Sequence, residues 1–299
     1  MAYKEDASDT DTRIGEAIKF LEWANDADTM NRQEALEDLK FVNGDQWPIE
    51  LQNSRTLESR PVLTINKLDG YCRQVVNQIR QQRPHPKVHG MNSESDAKTA
   101  EVIQGIIRHI EANSNADNAY DTAADYAVRM GWGYIRVRTD YVSDDSFDQE
   151  IFIDRIPDPF KVYIDPHSKE PDGSDMEWAI IAEEMSKEDF KRLYPDVPET
   201  QFDDAGNGDM QGWYTTDSIR VAEYYYIKHD MQEISDPATG QTRMADIKTC
   251  MWCKVTGDTI LEQTEIPTKY IPIAPVVGHE LFLQGKRYLS GLVRNAKDA

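Results

Sequence analysis

A chain of 299 residues is long enough to bury a core without disulfide or metal staples, and at roughly 150 residues per domain it fits about two domains. Its 33 Lys and Arg against 54 Asp and Glu leave a formal net charge of −21. That excess opposes any role that depends on gripping phosphate backbones, where affinity comes from cations displacing counterions. Three cysteines (Cys72, Cys250, Cys253) are too few for a disulfide scaffold and fit a reducing compartment. No stretch approaches the ~18 apolar residues of a membrane span, and the acidic N-terminus lacks the apolar core of a signal peptide.

Residues 1–10 are polar and read as a flexible N-terminus; residues 11–130 read as helical. Ile14, Ile18 and Leu21 recur at helical spacing, and Ala35, Leu36 and Leu39 continue the stripe after a polar middle at 25–33. Asn43-Gly44 is a helix stop, since both residues tolerate the left-handed conformation. The stretch "DQWPIELQNSRTLESRP", punctuated by two prolines, reads as a loop. A second helix is predicted from Asn66, with Leu68, Cys72, Val75, Val76 and Ile79 on its buried face, ending before "RPHP". A third covers about 94–112 with a wide apolar face of Ile103, Ile106, Ile107 and Ile110. A fourth runs from about Ala116 to Met130 on a stripe of Ala119, Ala123 and Ala127 beside Tyr120, narrow enough for close approach to a neighbour, and stops at Gly131.

From 131 to 278 the pattern turns to β. In "YIRVRT" Ile135 and Val137 alternate with Arg136 and Arg138, and in "EIFID" Ile151 and Ile153 share one face with Phe152 on the other, which marks two half-buried strands around an acidic loop carrying Asp140, Asp144, Asp145 and Asp148. Further strands are predicted at 177–184, 218–229, 246–255 and 259–265, with Gly257-Asp258 joining the last two as a hairpin. "SKEDFKRLYP" is a short helix with a capping box from Ser186 to Asp189. Residues 206–212 have the composition of a mobile linker. The fold class expected is α+β, helices first and a mostly antiparallel β region after.

Three constellations invite a chemical reading. Asp148, Glu150, Asp154 and Asp165 could gather Mg²⁺ for phosphodiester cleavage, with Glu183, Glu184 and Lys187 adding an E-x-x-x-K spacing. The plainer reading is a solvated acidic loop in a chain acidic throughout, where such spacings arise by chance. Cys250-Met251-Trp252-Cys253 is a C-x-x-C, but it sits in a strand pattern, where residues three apart face opposite ways, and His229 and His279 have no finger-like spacing to it. Tyr224-Tyr225-Tyr226 and the tryptophans have no interleaved cations and read as packing rather than base stacking. No nucleotide-binding loop or zinc-protease helix motif occurs, and no cofactor is expected.

Read in series, several runs resemble the portal (head-to-tail connector) proteins of short-tailed bacteriophages of the Salmonella podovirus type. They are "ALEDLKFVNGDQWP" (35–48), "RPVLTINK" (60–67), "RQVVNQIRQQRPHPKV" (73–88) and "IIRHIEANSNADNAYDTAADYAV" (106–128). "VRTDYVSDDSFDQEIFIDRIPDPFKVYIDP" (137–166), "MSKEDFKRLYPD" (185–196) and "GKRYLSGLVRNAKDA" (285–299) continue the series. The resemblance implies a non-enzymatic homo-oligomer, usually a ring of twelve, at one capsid vertex. Terminase, scaffolding, coat and tail proteins would be its partners, and DNA would pass through without specific binding. It implies a helical wing part (11–130), a β-rich wing part (131–278) and the start of a hip or stem segment (279–299). Because such portals are longer, the sequence resembles their N-terminal part. Residues expected at subunit interfaces or as packing anchors are Arg73, Arg80, Arg83 and Arg108, which could neutralise a neighbour's carboxylates, with Trp47 and Trp132. The alternatives are a Mg²⁺-dependent nuclease using the 140–165 acids and a free-standing acidic adaptor.

Overall fold

A computed structural model describes residues 7–83, 85–90, 94–143, 145–197, 213, 217–235 and 240–297. The chain is α+β, and among the described residues every strand pair is antiparallel. It forms two compact units: Met1–Asp28 with Phe160–Ile271, and Thr29–Pro159 with Pro272–Ala299. The first helix, α1 (Ala7–Val42), contributes to both. The linker predicted at 206–212 lies outside the described residues.

The first unit is a five-stranded sheet in the order β3-β4-β5-β6-β7: β3 (Val162–Ile164), β4 (Trp178–Ser186), β5 (Ser218–Ser235), β6 (Thr242–Val255) and β7 (Ile260–Ile266). The stripe Ile14, Ala17, Ile18, Leu21 and Ala24 of α1 packs on one face, against Trp178, Ile180, Tyr224, Tyr226, Cys253 and Val255. Phe20 stacks on Trp178 with centroids 4.7 Å apart. Strand alternation splits the three tyrosines. Tyr224 and Tyr226 join this core, while Tyr225 turns to the other face, where its hydroxyl donates to Glu223. On that other face Ile219 and Val221 bury Phe190 of the short helix Lys187–Leu193. Ser186 caps that helix, its Oγ accepting from the Asp189 N–H at 3.1 Å, as the capping box predicts. The Gly257-Asp258 hairpin between β6 and β7 is likewise as predicted.

At one end of this sheet His229 of β5 lies between two carboxylates, with Nδ1 2.7 Å from Asp246 and Nε2 2.7 Å from Glu177, and Lys248 donates to Glu177 at 2.8 Å. The hydrogen bonds to Glu177 and Asp246 raise the imidazole pKa. Burial alone would raise the Glu177 pKa, but its bonds from Lys248 and His229 outweigh that and lower it. A raised histidine stabilises the fold fully below its unfolded value of about 6.5 and loses that contribution as pH climbs through its folded value. The lowered Glu177 contributes above about 4.3 and is lost toward acid. Substituting His229→Gln is therefore expected to cost most between about pH 5 and 6.5 and progressively less above. The groups are about half exposed, so the maximum is on the order of 1 kcal/mol or less. Unfolding midpoints of both proteins across pH 5–9 check this; a constant difference would contradict it.

The second unit is organised around α5 (Ala116–Met130). The other helices here are α2 (Ile49–Leu57), α3 (Leu68–Gln81), α4 (Glu94–Asn113) and a short α7 (Leu292–Ala296); Lys187–Leu193 above is α6. A sheet in the order β2-β1-β8 joins β1 (Trp132–Tyr141), β2 (Gln149–Arg155) and β8 (Ile273–Val277). β9 (His279–Leu283) and β10 (Lys286–Ser290) form a separate hairpin. Ala119, Ala123 and Ala127 are buried, as their spacing predicts. Gly131 closes α5 at φ 116°, and a Cβ on Gly133 would lie 2.4 Å from the Ala123 carbonyl oxygen. Only the absence of side chains lets helix and strand backbones approach so closely.

Several sequence expectations are corrected in this unit. The stretch read as a loop contains α2, which buries none of its residues and so has no apolar stripe to detect. α3 starts at Leu68 rather than Asn66, and Ile79 is exposed. On α4, Ile103 and Ile106 are exposed, and only Ile107 and Ile110 are half-buried. On α1 the face buried after residue 28 is Asn31, Ala35, Asp38 and Val42, while Leu36 is exposed. The two polar residues are buried because they are partnered. Asn31 donates to the Arg287 carbonyl at 2.9 Å and accepts from the Leu289 N–H at 3.2 Å, binding the backbone of β10. Asp38 accepts from Arg294 at 2.9 Å and lies 2.6 Å from Lys297, holding α7, while Arg294 also pairs with Glu34. β8, β9 and β10 were not predicted; Gln284-Gly285, both at positive φ, make the two-residue turn between the last two.

Candidate subunit interface: an arginine groove between α3 and α5

Helix α5 has two stripes. Two residues of helix are about 200° of rotation. Asp117, Asp121, Asp125 and Arg129, at four-residue spacing, therefore lie opposite the buried alanines and face α3. Arg80 of α3 pairs with Asp121 at 3.0 Å, and Arg83 bridges Asp117 and Asp121 while its guanidinium lies 5.4 Å over the Tyr120 ring. Arg73 pairs with Asp69 at 2.8 Å. Arg129 is the joint of the array: its Nε donates to Asp125 at 2.9 Å and its Nη1 to Asp69 at 2.8 Å. Burial works against its charge, but the bonds to Asp125 and Asp69 raise its pKa on balance. The Tyr126 hydroxyl donates to the Pro157 carbonyl at 3.0 Å and is pushed up by burial.

Between these elements is a cavity of about 660 Å³, lined among others by Arg73, Arg80, Asp121, Asp125, Arg129 and Arg155. Its lining carries four guanidinium groups (Arg73, Arg80, Arg129, Arg155) and two carboxylates (Asp121, Asp125). A net positive groove on a chain of −21 is a local reversal of sign. Arg73, with a side chain 71% exposed, and Arg80, 49% exposed, present guanidinium edges outward; Arg83 is spent inside the chain.

The structure places the other singled-out residues apart from this groove. Arg108 is exposed on α4. Trp132 is buried at the start of β1. Trp47 is half-buried before α2, its indole N–H donating to the Leu63 carbonyl at 3.2 Å and Arg55 lying 5.1 Å over its ring. Sequence reading missed Arg129, Arg155 and the aspartates. The signal that would have found most of them is the four-residue repeat 117-121-125-129, which lay beside the alanine repeat.

Most of the described hairpin acids have structural partners, though no bond is seen to the Asp148 carboxylate. Arg138 of β1 bridges Asp140 and Asp154, Glu150 accepts from Asn113 at 2.6 Å, and Asp144 lies outside the described residues. Asp165, in the first unit, accepts the backbone N–H of His167 at 2.9 Å and of Glu177 at 3.4 Å. Glu183 and Glu184 pair with Lys161 and Arg220. Among the described residues no three His, Cys, Asp or Glu side chains cluster as a metal site would. The Cys250 thiol is buried and pushed up to about 12 by desolvation, the opposite of a reactive thiolate. No helix among the described residues is long and apolar enough to cross a membrane.

The sequence profile of the phage P22-like portal proteins matches residues 19–299, and the chain belongs to that family. It is 26% identical over 307 aligned positions to the portal protein of Acyrthosiphon pisum secondary endosymbiont phage 1, an alignment covering 90% of this chain and 43% of that protein. The chain thus spans less than half the length of that relative.

Proposed function

We propose that this chain is a structural, non-enzymatic portal subunit. In this reading it forms a ring at one vertex of a phage capsid, assembled in the bacterial host, through which DNA is packaged and ejected and to which terminase, scaffolding, coat and tail proteins attach. Residues 11–278 form the wing and 279–299 begin the hip or stem. The reading rests on the family match along residues 19–299. The acidic charge supports it, because duplex DNA slides past a surface that offers few clustered cations. Within the ring, the outward guanidinium edges of Arg73 and Arg80 receive carboxylates of a neighbouring copy, and Arg108 adds a second cation on α4. Acidic copies repel unless such contacts compensate.

The test is mass photometry and negative-stain imaging of the 299-residue chain across a salt series, with a DNA mobility shift on the same samples. Association is expected to rise between 0.01 M and 0.1 M salt, as the Debye length falls from ~30 Å to ~10 Å, and to give closed rings of one size. Duplex DNA is expected to run unretarded at both. Tight duplex binding would contradict the conduit, and Mg²⁺-dependent DNA cleavage lost in Asp148→Ala would put a nuclease in its place.

A further inference from the structure

The cavity beside α3 and α5 has more hydrogen-bond donors than the chain itself uses. Arg73, Asn77 and Arg80 stand at i, i+4 and i+7 on α3 and so share one face of it, and Arg155 joins the same lining from the end of β2. Arg73 and Arg80 come nearest to a carboxylate through Nε, at 2.8 Å from Asp69 and 3.0 Å from Asp121, and the Nη groups of neither form a hydrogen bond among the described residues. The Arg155 side chain has no ion-pair or hydrogen-bond partner among them. Asp158, three positions on, lies outside the lining.

The carboxylates are already held. Asp121 is paired with Arg80 and Arg83, and Asp125 accepts from Arg129 Nε with both oxygens at 2.9 Å. Asp69, at an adjoining cavity of about 430 Å³, is shared by Arg73 and Arg129. The lining therefore has an excess of two positive charges, four guanidinium groups over two carboxylates. The side-chain amides of Asn77 and Asn118, also in the lining, form no hydrogen bond among the described residues.

That surplus describes a ligand. Guanidinium forks match phosphate and carboxylate oxygens. Arg73 and Arg80 are seven residues apart, about 10.5 Å along the helix axis, so a ligand that spans them carries more than one anionic group. Phosphate oxygens diverge tetrahedrally and can meet donors on α3 and β2 together, where a planar carboxylate meets one wall. The cavity, about 660 Å³, has the size of a small-molecule site, but its lining is mostly polar, which suits an anion and not an apolar ligand.

We propose that this cavity binds a small polyphosphate anion, with Arg155, Arg73 and Arg80 as its charge partners and Asn77 as a further donor. Duplex DNA does not fill the same role: the concave lining admits one short phosphate chain, and a chain of −21 repels a rod of phosphates. The site does not rest on the oligomeric reading, although Arg73 and Arg80 are the cations assigned there to a neighbour's carboxylates. Binding is therefore measured at a concentration at which the chain is monomeric, so that either reading can fail without the other.

Isothermal titration of the 299-residue chain with inorganic tripolyphosphate, at about 0.1 M NaCl to screen general attraction, is expected to give one site per chain. The unfolding midpoint is expected to rise as the ligand is added. Arg155→Gln breaks no ion pair or hydrogen bond within the chain. It is expected to keep the parent's midpoint without ligand and to weaken binding about tenfold or more, the effect of losing a charge-assisted hydrogen bond. Arg73→Gln is expected to weaken binding likewise. Arg60→Gln removes the same charge from an exposed position outside the cavity and is expected to bind as the parent does. A nucleoside triphosphate as second titrant separates the sources: binding no tighter than tripolyphosphate assigns the phosphate chain alone, tighter binding assigns a nucleotide, and both uphold the site. Absence of tripolyphosphate binding, undiminished binding in Arg155→Gln, an equal loss in Arg60→Gln, or citrate bound as tightly as tripolyphosphate would each overturn the proposal.

Discussion

Substituting Asp38→Ala is expected to lower the unfolding free energy by about 3–5 kcal/mol, the range for removing one partner of a buried ion cluster. Asp38 is fully buried on α1, and its carboxylate is the shared partner of Arg294 and Lys297 at the C-terminal helix α7. Without it Arg294 keeps its pair with Glu34, and Lys297 loses the carboxylate 2.6 Å away. The side chains of Arg294 and Lys297 are 23% and 22% exposed, so water offsets part of the loss and the lower end of the range is the better expectation. The neighbouring Leu36→Ala, on the exposed side of the same helix, is expected to change stability by only about 0.5 kcal/mol or less. Denaturant midpoints of the two variants check the contrast. A near-neutral Asp38→Ala would show that α7 is held by the packing of Val293 on Val42 and Cys72 alone.

The second large effect is expected at the crossing of α5 and β1. Ala123→Leu forces three extra carbons into a contact with no space for them, at a cost of about 1–3 kcal/mol. Gly133→Ala is expected to destabilise in the same way, because its Cβ would lie 2.4 Å from the Ala123 carbonyl oxygen and 2.7 Å from the Ala123 Cα, both backbone atoms that cannot swing aside. Gly105→Ala gives the opposite sign. Gly105 is inside α4 with nothing within 4 Å of an added Cβ, so the change is expected to gain about 0.5–1 kcal/mol from helix propensity. Thermal unfolding of the three variants is the check. Unchanged stability in Ala123→Leu would mean that the alanine stripe faces solvent.

What could be read from sequence is what rests on local pattern. The alanine stripe of α5, the Gly131 stop, the Ser186 capping box and the hairpins around Asp145 and Gly257 depend on residues within a few positions of one another. Their signals survive without knowledge of the partner. The groove was legible only by half: Arg73, Arg80 and Arg83 stand out on an amphipathic helix, but the aspartates that hold Arg80 and Arg83 are 34 to 41 positions away. α2 was invisible, because a helix that buries nothing has no stripe. The isoleucines of α4 misled for the opposite reason: an apolar face predicts burial, yet Ile103 and Ile106 remain open to solvent here.

The amino-acid sequence by itself determined the class, α+β, the family, and the acidic charge that argues against gripping DNA, since these follow from composition and from runs of adjacent residues. Tertiary structure alone decided which face of α1 is inside. By hydropathy the choice falls on Leu36. The fold instead buries Asn31 and Asp38, because partners some 256 positions further along, the backbone of β10 and the guanidinium of Arg294, satisfy their polar atoms. A buried polar group is stable only when its hydrogen bonds are met, and where those partners will lie is not written in any local pattern.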